Sequence, residues 1–475
     1  MRSKAGGASG TAIAALRFIM AGAASLPGRS TVSSDAHVAE DRLLLISLRA
    51  PAHDRVRDGR IYAAARGGLS AALGAVSHRV GAYLSVDDIP FASTHKATFD
   101  GIANRVLWPI LHGMPTKACL HGNDFEGWEK ATDAFARAAD IENRSALVWV
   151  HDYQLSLLPG RLRSMSPHAR IGWFCHVPWP GCDMIALLPN RKRILDGILG
   201  ASYIGFHTPH YRDNFLSCVE KLTPYAVDKK ARSIRVNGRI VRVGVHAVGV
   251  PFETFDRCGR DPEVRREAER IRAELGAEKL VLAVDRLDYT KGILERLHAL
   301  EMVLQDRPSL RKKLCFVQVA APTRPSVPGY AELRCEVEAV VGAINGRFAE
   351  GGWVPIRYWA RSISGSELVA LYLAADVMAV TPLRDGMNLV AQEFVASRHD
   401  ERGVLVLSEL AGAAHYLRHA VMVNPWWIED TIRAFVTALE MPEEEQRERM
   451  RKLREETRRI DIADWIPGFV EELEK

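Results

Sequence analysis

The chain has 475 residues, 47% hydrophobic and 25% charged, with a formal net charge of +5. That length predicts two or three domains with enough apolar content for real cores. A positive balance this mild, with no basic block interleaved with aromatics, argues against nucleic acid and fits a small anionic substrate; no run of 18 apolar residues occurs, so no membrane span is expected.

Residues 1–41 read as a flexible N-terminal extension. Arg2 and Lys4 precede an alanine- and glycine-rich run ending near Pro27, but Arg17 interrupts the apolar region that a secretory signal needs. Residues 43–48 read as a buried first strand, ended by Arg49 and Pro51. Gly67-Gly68-Leu69 then opens a small-residue helix over 70–76, and the paired glycines allow close backbone approach to a ligand. From Ala146 strands and helices alternate, with strands over 146–150, 170–175 and 203–206 and helices over 194–199 and 211–222. The first of these strands ends in His151-Asp152-Tyr153 and the second in His176, Pro178 and Pro180. Polar residues at the carboxyl ends of buried strands are where open α/β sheets take their ligands. His207 and His210 flank Pro209 and read as loop.

A second α/β unit starts near Val250-Pro251. Residues 261–275 form a charged, surface-facing helix, and the strand over 280–284 runs into Asp285-Arg-Leu-Asp-Tyr-Thr-Lys-Gly292. Arg286 and Lys291 are spaced to converge on one phosphate pair, or else to pair with Asp285 and Asp288 in a solvated loop. The strand over 314–320 leads to Pro322-Thr323-Arg324. A helix through Val341, a strand over 356–359, a helix over 366–374 and a strand over 376–380 follow. Next comes Thr-Pro-Leu-Arg-Asp-Gly-Met-Asn from Thr381, a tight turn entering an apolar-periodic helix with Leu389, Val390, Phe394 and Val395. A helix that starts at such a turn presents free N–H groups and the positive end of its dipole to an anion. Glu393 lies two helical turns beyond Asp385, which puts one carboxylate on the turn and another on the helix above it. After a strand over 403–407, Pro442 opens a helix of i, i+4 charge pairs that reads as solvated. The last apolar residues, Trp465, Ile466, Phe469 and Val470, suit a terminal helix that packs on another domain.

The seven cysteines are scattered and form no C-x-x-C pair, which suits buried thiols in a reducing compartment. His415 and His419 are spaced i, i+4 without the glutamate of the zinc-protease motif, so metal binding is not expected. No Gly-x-Gly-x-x-Gly follows the first strand and no ATPase phosphate loop occurs. The reading is an α/β protein of two Rossmann-like domains facing a cleft. The first spans 42–250 and the second 251–455; a terminal helix over 456–475 packs back on the first.

V-W-V-H-D-Y-Q, H-V-P-W-P, Ala201-Ser-Tyr-Ile-Gly-Phe206, D-R-L-D-Y-T-K-G, A-P-T-R, I-N-G-R-F and T-P-L-R-D-G-M-N-L-V-A-Q-E together resemble the trehalose-6-phosphate synthases. These are retaining glycosyltransferases of the two-Rossmann-domain (GT-B) type. The resemblance covers roughly residues 42–475 and is densest from 146 to 430. It implies transfer of glucose from a nucleotide-glucose co-substrate to a sugar phosphate, with no metal or other cofactor. Arg286, Lys291, Asp152 and His176 match the catalytic set: the first two hold the donor diphosphate and neutralise the leaving group, Asp152 contacts sugar, and His176 lies beside the transferred glucose. Gly68 matches the loop that closes over the donor. Asp385 with the backbone of Gly386, Met387, Asn388 and Leu389 matches the clamp on the donor glucose, and Glu393 the carboxylate on the ribose. Arg49, Trp108, Tyr153 and Arg324 match the acceptor site, with the two arginines on its phosphate. Retention is ascribed in this family to front-face attack, so no carboxylate nucleophile is needed. The resemblance also implies that the first domain takes the acceptor, that the second binds the nucleotide sugar, and that main chain near Ile363 and Leu368 reads the base.

Four positions depart from the family's pattern. Residues 77–88 are short and lack a tryptophan-bearing stretch, Phe99 stands for tyrosine, and Leu48 precedes Arg49 where asparagine is usual. These three fall on the acceptor half. The fourth, Tyr416 in place of glutamate, falls on the donor domain and has no reading from sequence. The leading expectation is therefore synthesis of α,α-trehalose 6-phosphate. An alternative is a sister enzyme with another phosphorylated acceptor such as glycerol 3-phosphate, and a third is a silent regulatory homologue that binds sugar phosphates. The expected partners are small molecules, with no nucleic acid or membrane; a homo-oligomer is compatible with the sequence, and the expected location is cytoplasmic.

Overall fold

The computed structural model describes residues 43–48, 55–57, 60–62, 82–85, 89, 101–119, 124–139, 147–324, 328–363 and 365–475. The extension 1–41, Arg49, Gly67, Gly68, Leu69, the helix over 70–76, most of 77–88 and Phe99 lie outside the described residues.

The first domain supplies β1 (Leu43–Ile46), β2 (Arg55–Arg57), β3 (Arg60–Tyr62), β4 (Ala82–Leu84), β5 (Leu147–His151), β6 (Ile171–Cys175), β7 (Tyr203–Phe206), β8 (Ala226–Asp228), β9 (Ser233–Val236) and β10 (Arg239–Val245). Its sheet has the order β4-β1-β5-β6-β7-β10-β9-β8. The six strands from β4 to β10 are parallel, and β9 and β8 extend the β10 edge antiparallel. β2 and β3 form a separate hairpin. The second domain contributes β11 (Lys279–Arg286), β12 (Leu314–Ala321), β13 (Ile356–Trp359), β14 (Val377–Val380), β15 (Val404–Ser408) and β16 (Val421–Val423), all parallel in the order β13-β12-β11-β14-β15-β16. That is the doubly wound order in which the chain reverses direction beside its first strand. β5, β6, β14 and β15 are buried at every position because helices cover both faces, which is why they read as unbroken apolar runs rather than alternating ones.

The order reverses between β1 and β5 in one sheet and between β11 and β14 in the other. Crevices outside the carboxyl ends of strands at such points are where doubly wound folds bind ligands. The loops that follow β5 and β14 carry Asp152 and Asp385 and β11 ends in Arg286, so the topology alone brings these residues to the ligand-binding end of each sheet.

The two domains are joined twice. The chain crosses at 248–252 and returns at 459–462. A Cβ on Gly249 would fall 1.4 Å from the Ile460 carbonyl oxygen, so only glycine lets the crossings touch. Asp461 ties them together: one oxygen accepts from Phe252 N–H at 3.1 Å and the other from Ala463 N–H at 2.8 Å, capping a helix on each side. After the return, the helix Ile462–Glu474 lies on the open face of the first sheet. Phe469 stacks on Trp149 with ring centroids 4.1 Å apart, and Trp465 packs against Phe174. Gly172 on β6 and Gly205 on β7 make room for that ring, since a Cβ there would sit 2.5 and 2.8 Å from it. Arg242 and Glu472 pair at 2.9 Å along the rim.

Several local expectations are corrected. His210 is in a helix, Pro209–Leu222, rather than a loop. Pro209 is preset for the first helical position, and Thr208 caps by accepting from Tyr211 N–H at 3.3 Å. The charged helix Pro262–Leu275 buries Val264, Ala268 and Ile271, so its apolar stripe belongs to the core. The helix that Pro442 opens, Glu443–Arg458, is not merely solvated: Met450 and Leu453 enter the core and the Arg454 guanidinium pairs with Asp256. Its outer i, i+4 pairs are as read. Of the cysteines, Cys175, Cys218 and Cys315 are buried, but Cys119 and Cys335 are exposed. Among the described residues no helix is long and apolar enough to cross a membrane.

Candidate active site

The loops after β11 and β14 are knit together at the switch point. Leu383 N–H donates to Thr290 O at 2.8 Å, and Gly292, at φ +64°, brings its Cα so near Thr381 O that a Cβ would lie 2.5 Å from it. This registers Lys291 against Asp385, and their side chains form an ion pair with both partners largely buried. Asn388 Nδ2 donates to the same Asp385 oxygen at 3.0 Å. Burial would raise the Asp385 carboxyl, but the Lys291 ammonium outweighs it, with His112 and Arg286 adding, and holds the group below its ordinary range. Asn388 itself lies at φ +72° and does not cap the helix Leu389–Ser397, so among the described residues the first amides of that helix have no side-chain cap. Further along, Tyr372 donates to Glu393 Oε2 at 2.7 Å, and burial raises that carboxyl.

Arg286 ends β11, its guanidinium 5.4 Å from the Trp108 ring centroid, and is paired with no carboxylate among the described residues. The alternative of a solvated loop is therefore excluded. Asp285 is taken by the buried Arg296 at 2.7 Å, Asp288 by Arg324 at 2.9 Å, and Lys291 by Asp385. Arg324 stacks 4.0 Å over the Trp108 ring. Trp108 belongs to the first domain, so the indole lies under cations from two loops of the second.

The first domain closes the site with the ends of β5 and β6. Asp152 sits at φ +74° and ψ 167°, a region that costs a non-glycine residue roughly 1–3 kcal/mol. Its Oδ1 accepts from His176 N–H at 3.2 Å, which aims the carboxylate across the strand ends. Burial raises this carboxyl to about 6 in spite of the Tyr153 and His176 amides and the charges of Arg286 and Arg324. His151 Nδ1 and His176 Nε2 are 2.9 Å apart. Burial holds His151 down at about 3, His207 at about 4 and His176 well below its ordinary value, so these imidazoles are neutral near pH 7. Tyr153 is buried with its hydroxyl unpartnered among the described residues, 6.0 Å ring to ring from Trp108.

The two halves touch directly. A Cβ on Gly386 would meet His176 O at 2.0 Å, and one on Gly412 would meet Gly386 O at 1.9 Å. Glycine at 386 thus lets the turn meet the backbone of the opposite domain. Tyr211 donates to Asp385 O at 2.8 Å and Tyr416 to His207 O at 2.6 Å, so two tyrosines bridge the halves. This gives Tyr416, the departure on the donor domain, an observed contact. The structure therefore brings Trp108, Asp152, Tyr153, His176, Arg286, Lys291, Arg324, Asp385 and the turn 386–389 together around one cleft. Gly68 and Arg49 lie outside the described residues. Tyr330, Tyr372, His112 and the anchoring role of Asp288 escaped sequence reasoning. Asp288 showed there only as a charge near Arg286.

A cleft between two Rossmann-type sheets, with cations and an uncapped helix start at one switch point and a strained carboxylate at the other, defines a two-domain glycosyltransferase. Residues 71–475 match the model of glycosyltransferase family 20, and the chain belongs to that family. It is 38% identical over 485 aligned positions to a trehalose-6-phosphate synthase of Mycobacterium leprae, covering 94% of this chain and 97% of that protein. It is 41% identical over 391 residues to a bifunctional trehalose-6-phosphate synthase/phosphatase of Thermoproteus tenax, covering 82% of this chain but only 53% of that protein. Among solved structures, a UDP-forming α,α-trehalose-phosphate synthase of Burkholderia xenovorans in complex with glucose-6-phosphate superposes with a TM-score of 0.85 at 30% identity, covering 91% of this chain and all of that one.

Proposed function

We propose that this chain moves glucose from UDP-glucose to glucose 6-phosphate, with retention at the transferred carbon, making α,α-trehalose 6-phosphate. The observation that carries the reading is Arg286, unpaired among the described residues, beside Lys291 and the uncapped start of helix Leu389–Ser397, next to Arg324 stacked on Trp108 of the opposite domain. The first group suits a diphosphate and the second a sugar phosphate. As the glycosidic bond breaks, negative charge grows on the leaving diphosphate, where Arg286 and Lys291 stabilise it more than in the ground state. The acceptor hydroxyl attacks from the same face and passes its proton to a departing phosphate oxygen. Glu393, fixed by Tyr372, takes the ribose hydroxyls. Neutral His176 and the Asp152 carboxylate hold the transferred glucose, and Asp385, steadied by Lys291 and Asn388, accepts from its hydroxyls.

The UDP-forming activity and glucose-6-phosphate complex of the Burkholderia relative support the choice of substrates. The reading calls for no metal, since the two cations take the place of one at the diphosphate. A cytoplasmic location goes with it. The test is product formation from UDP-glucose with glucose 6-phosphate or glycerol 3-phosphate offered in turn. Trehalose 6-phosphate from the first is expected; glucosylglycerol phosphate as the main product, or UDP binding without either product, overturns the reading.

A further inference from the structure

Asp288 lies between Arg286 and Lys291 on the loop after β11 and is fully buried. Its carboxylate receives bonds from three separate stretches of chain. Oδ1 accepts from Thr290 N–H at 3.1 Å, Thr290 Oγ1 at 3.0 Å and Trp108 Nε1 at 3.3 Å; Oδ2 accepts from Arg324 Nη1 at 2.9 Å and Tyr330 hydroxyl at 3.2 Å. One donor set is its own loop, one is the opposite domain, and one is the stretch after β12, Arg324 in its loop and Tyr330 in the helix Pro328–Phe348. Arg324 has φ +46°, a conformation that disfavours side chains, and its guanidinium is held from one side by Asp288 and Tyr330 and from the other by the Trp108 face.

Resting on the function proposed above, we propose that Asp288 is a positioning residue that sets the sugar-phosphate subsite, Arg324 and Trp108, in register with the diphosphate loop carrying Arg286 and Lys291. A carboxylate that only folded its own loop needs Thr290 alone. Here Oδ1 also takes Trp108 from the opposite domain and Oδ2 goes to Arg324 and Tyr330, while the carboxylate itself is fully buried. Burial works against ionisation of Asp288, yet Arg324 and Arg286, then Thr290 and Lys291, hold its carboxyl down to about 2, so it is charged whenever the enzyme works.

Asp288→Asn keeps the shape and the bonds to Oδ1 but removes the charge that fixes Arg324. Charge-assisted bonds of this kind predict a rise of about 10-fold or more in KM for glucose 6-phosphate, with KM for UDP-glucose changed less than about 3-fold. In an Arg324→Ala background the same substitution should add almost nothing, since it acts through that arginine. Tyr330→Phe, milder for folding, should raise only the acceptor KM, and Thr290→Val should leave both KM values alone. Equal losses for donor and acceptor, or effects of Asp288→Asn and Arg324→Ala that multiply fully, overturn the proposal. If the parent uses glycerol 3-phosphate instead, the substrate reading fails, and the positioning role stands or falls on that acceptor's KM by the same comparison.

Discussion

Gly386→Ala tests the direct contact between the two halves of the cleft. The added Cβ would lie 2.0 Å from His176 O and 3.0 Å from Val177 Cα, whereas ordinary contact begins near 3.4 Å. Both neighbours are backbone, and Gly412 backs Gly386 from behind, so no side chain can swing away. The loops must part by about 1.4 Å, carrying Asp385 away from His176 and Asp152. A misplacement of about 1 Å between reacting groups costs roughly 100-fold in rate, and kcat should fall by at least that much. The side chains expected to hold UDP, Arg286, Lys291 and Glu393, lie in the second domain, so its affinity should change by less than about 3-fold. Steady-state kinetics and calorimetric titration with UDP separate the two. A kcat within a few-fold of the parent, in a variant that still binds UDP, would show that the contact does not set the geometry of the reaction.

Arg286→Ala should lower kcat by about 100-fold or more, because a charge contact that strengthens in the transition state is lost; an unchanged rate removes Arg286 from the chemistry. Glu393→Gln should weaken UDP binding in calorimetry, and equal affinity in variant and parent would take Glu393 out of the ribose site. Burial depresses His112, His207 and His246 to about 4 and His151 to about 3, against 6.5 when exposed. Unfolding below pH 6.5 therefore takes up protons, and the stability these groups contribute above that pH is lost progressively as pH falls toward 4. Tm should drop between pH 7 and 5; a flat profile there contradicts neutral buried imidazoles.

The second domain was readable because its sheet is wholly parallel and covered on both faces. Its strands are apolar runs, and its site residues fall at strand ends that a run of apolar letters reveals. Less legible was anything depending on a contact distant in sequence. The contact of Gly386 with the opposite domain was illegible because a sequence does not say which backbone comes near; 210 positions separate it from the His176 carbonyl it meets. Asp288 read as one more loop charge, since its partners Trp108 and Arg324 lie on other elements. The charged faces of the helices Pro262–Leu275 and Glu443–Arg458 drowned their narrow apolar stripes. Pro209 looked like a breaker, although at a first helical position it starts a helix.

The return of the chain to the first sheet also bears on its synthesis. Leu43, Leu45, Trp149 and Phe174 face the helix Ile462–Glu474, which leaves the ribosome only after the whole second domain. At ~5–20 residues per second, that aromatic face stays bare for tens of seconds behind the growing chain. The first half of the polypeptide cannot reach its final form before the second, and a nascent chain stalled anywhere between β10 and Asp461 presents a sticky surface that holdase chaperones recognise. A fragment ending near residue 250 should partition into inclusion bodies for the same reason, and a peptide of residues 459–475 supplied in trans should rescue part of it.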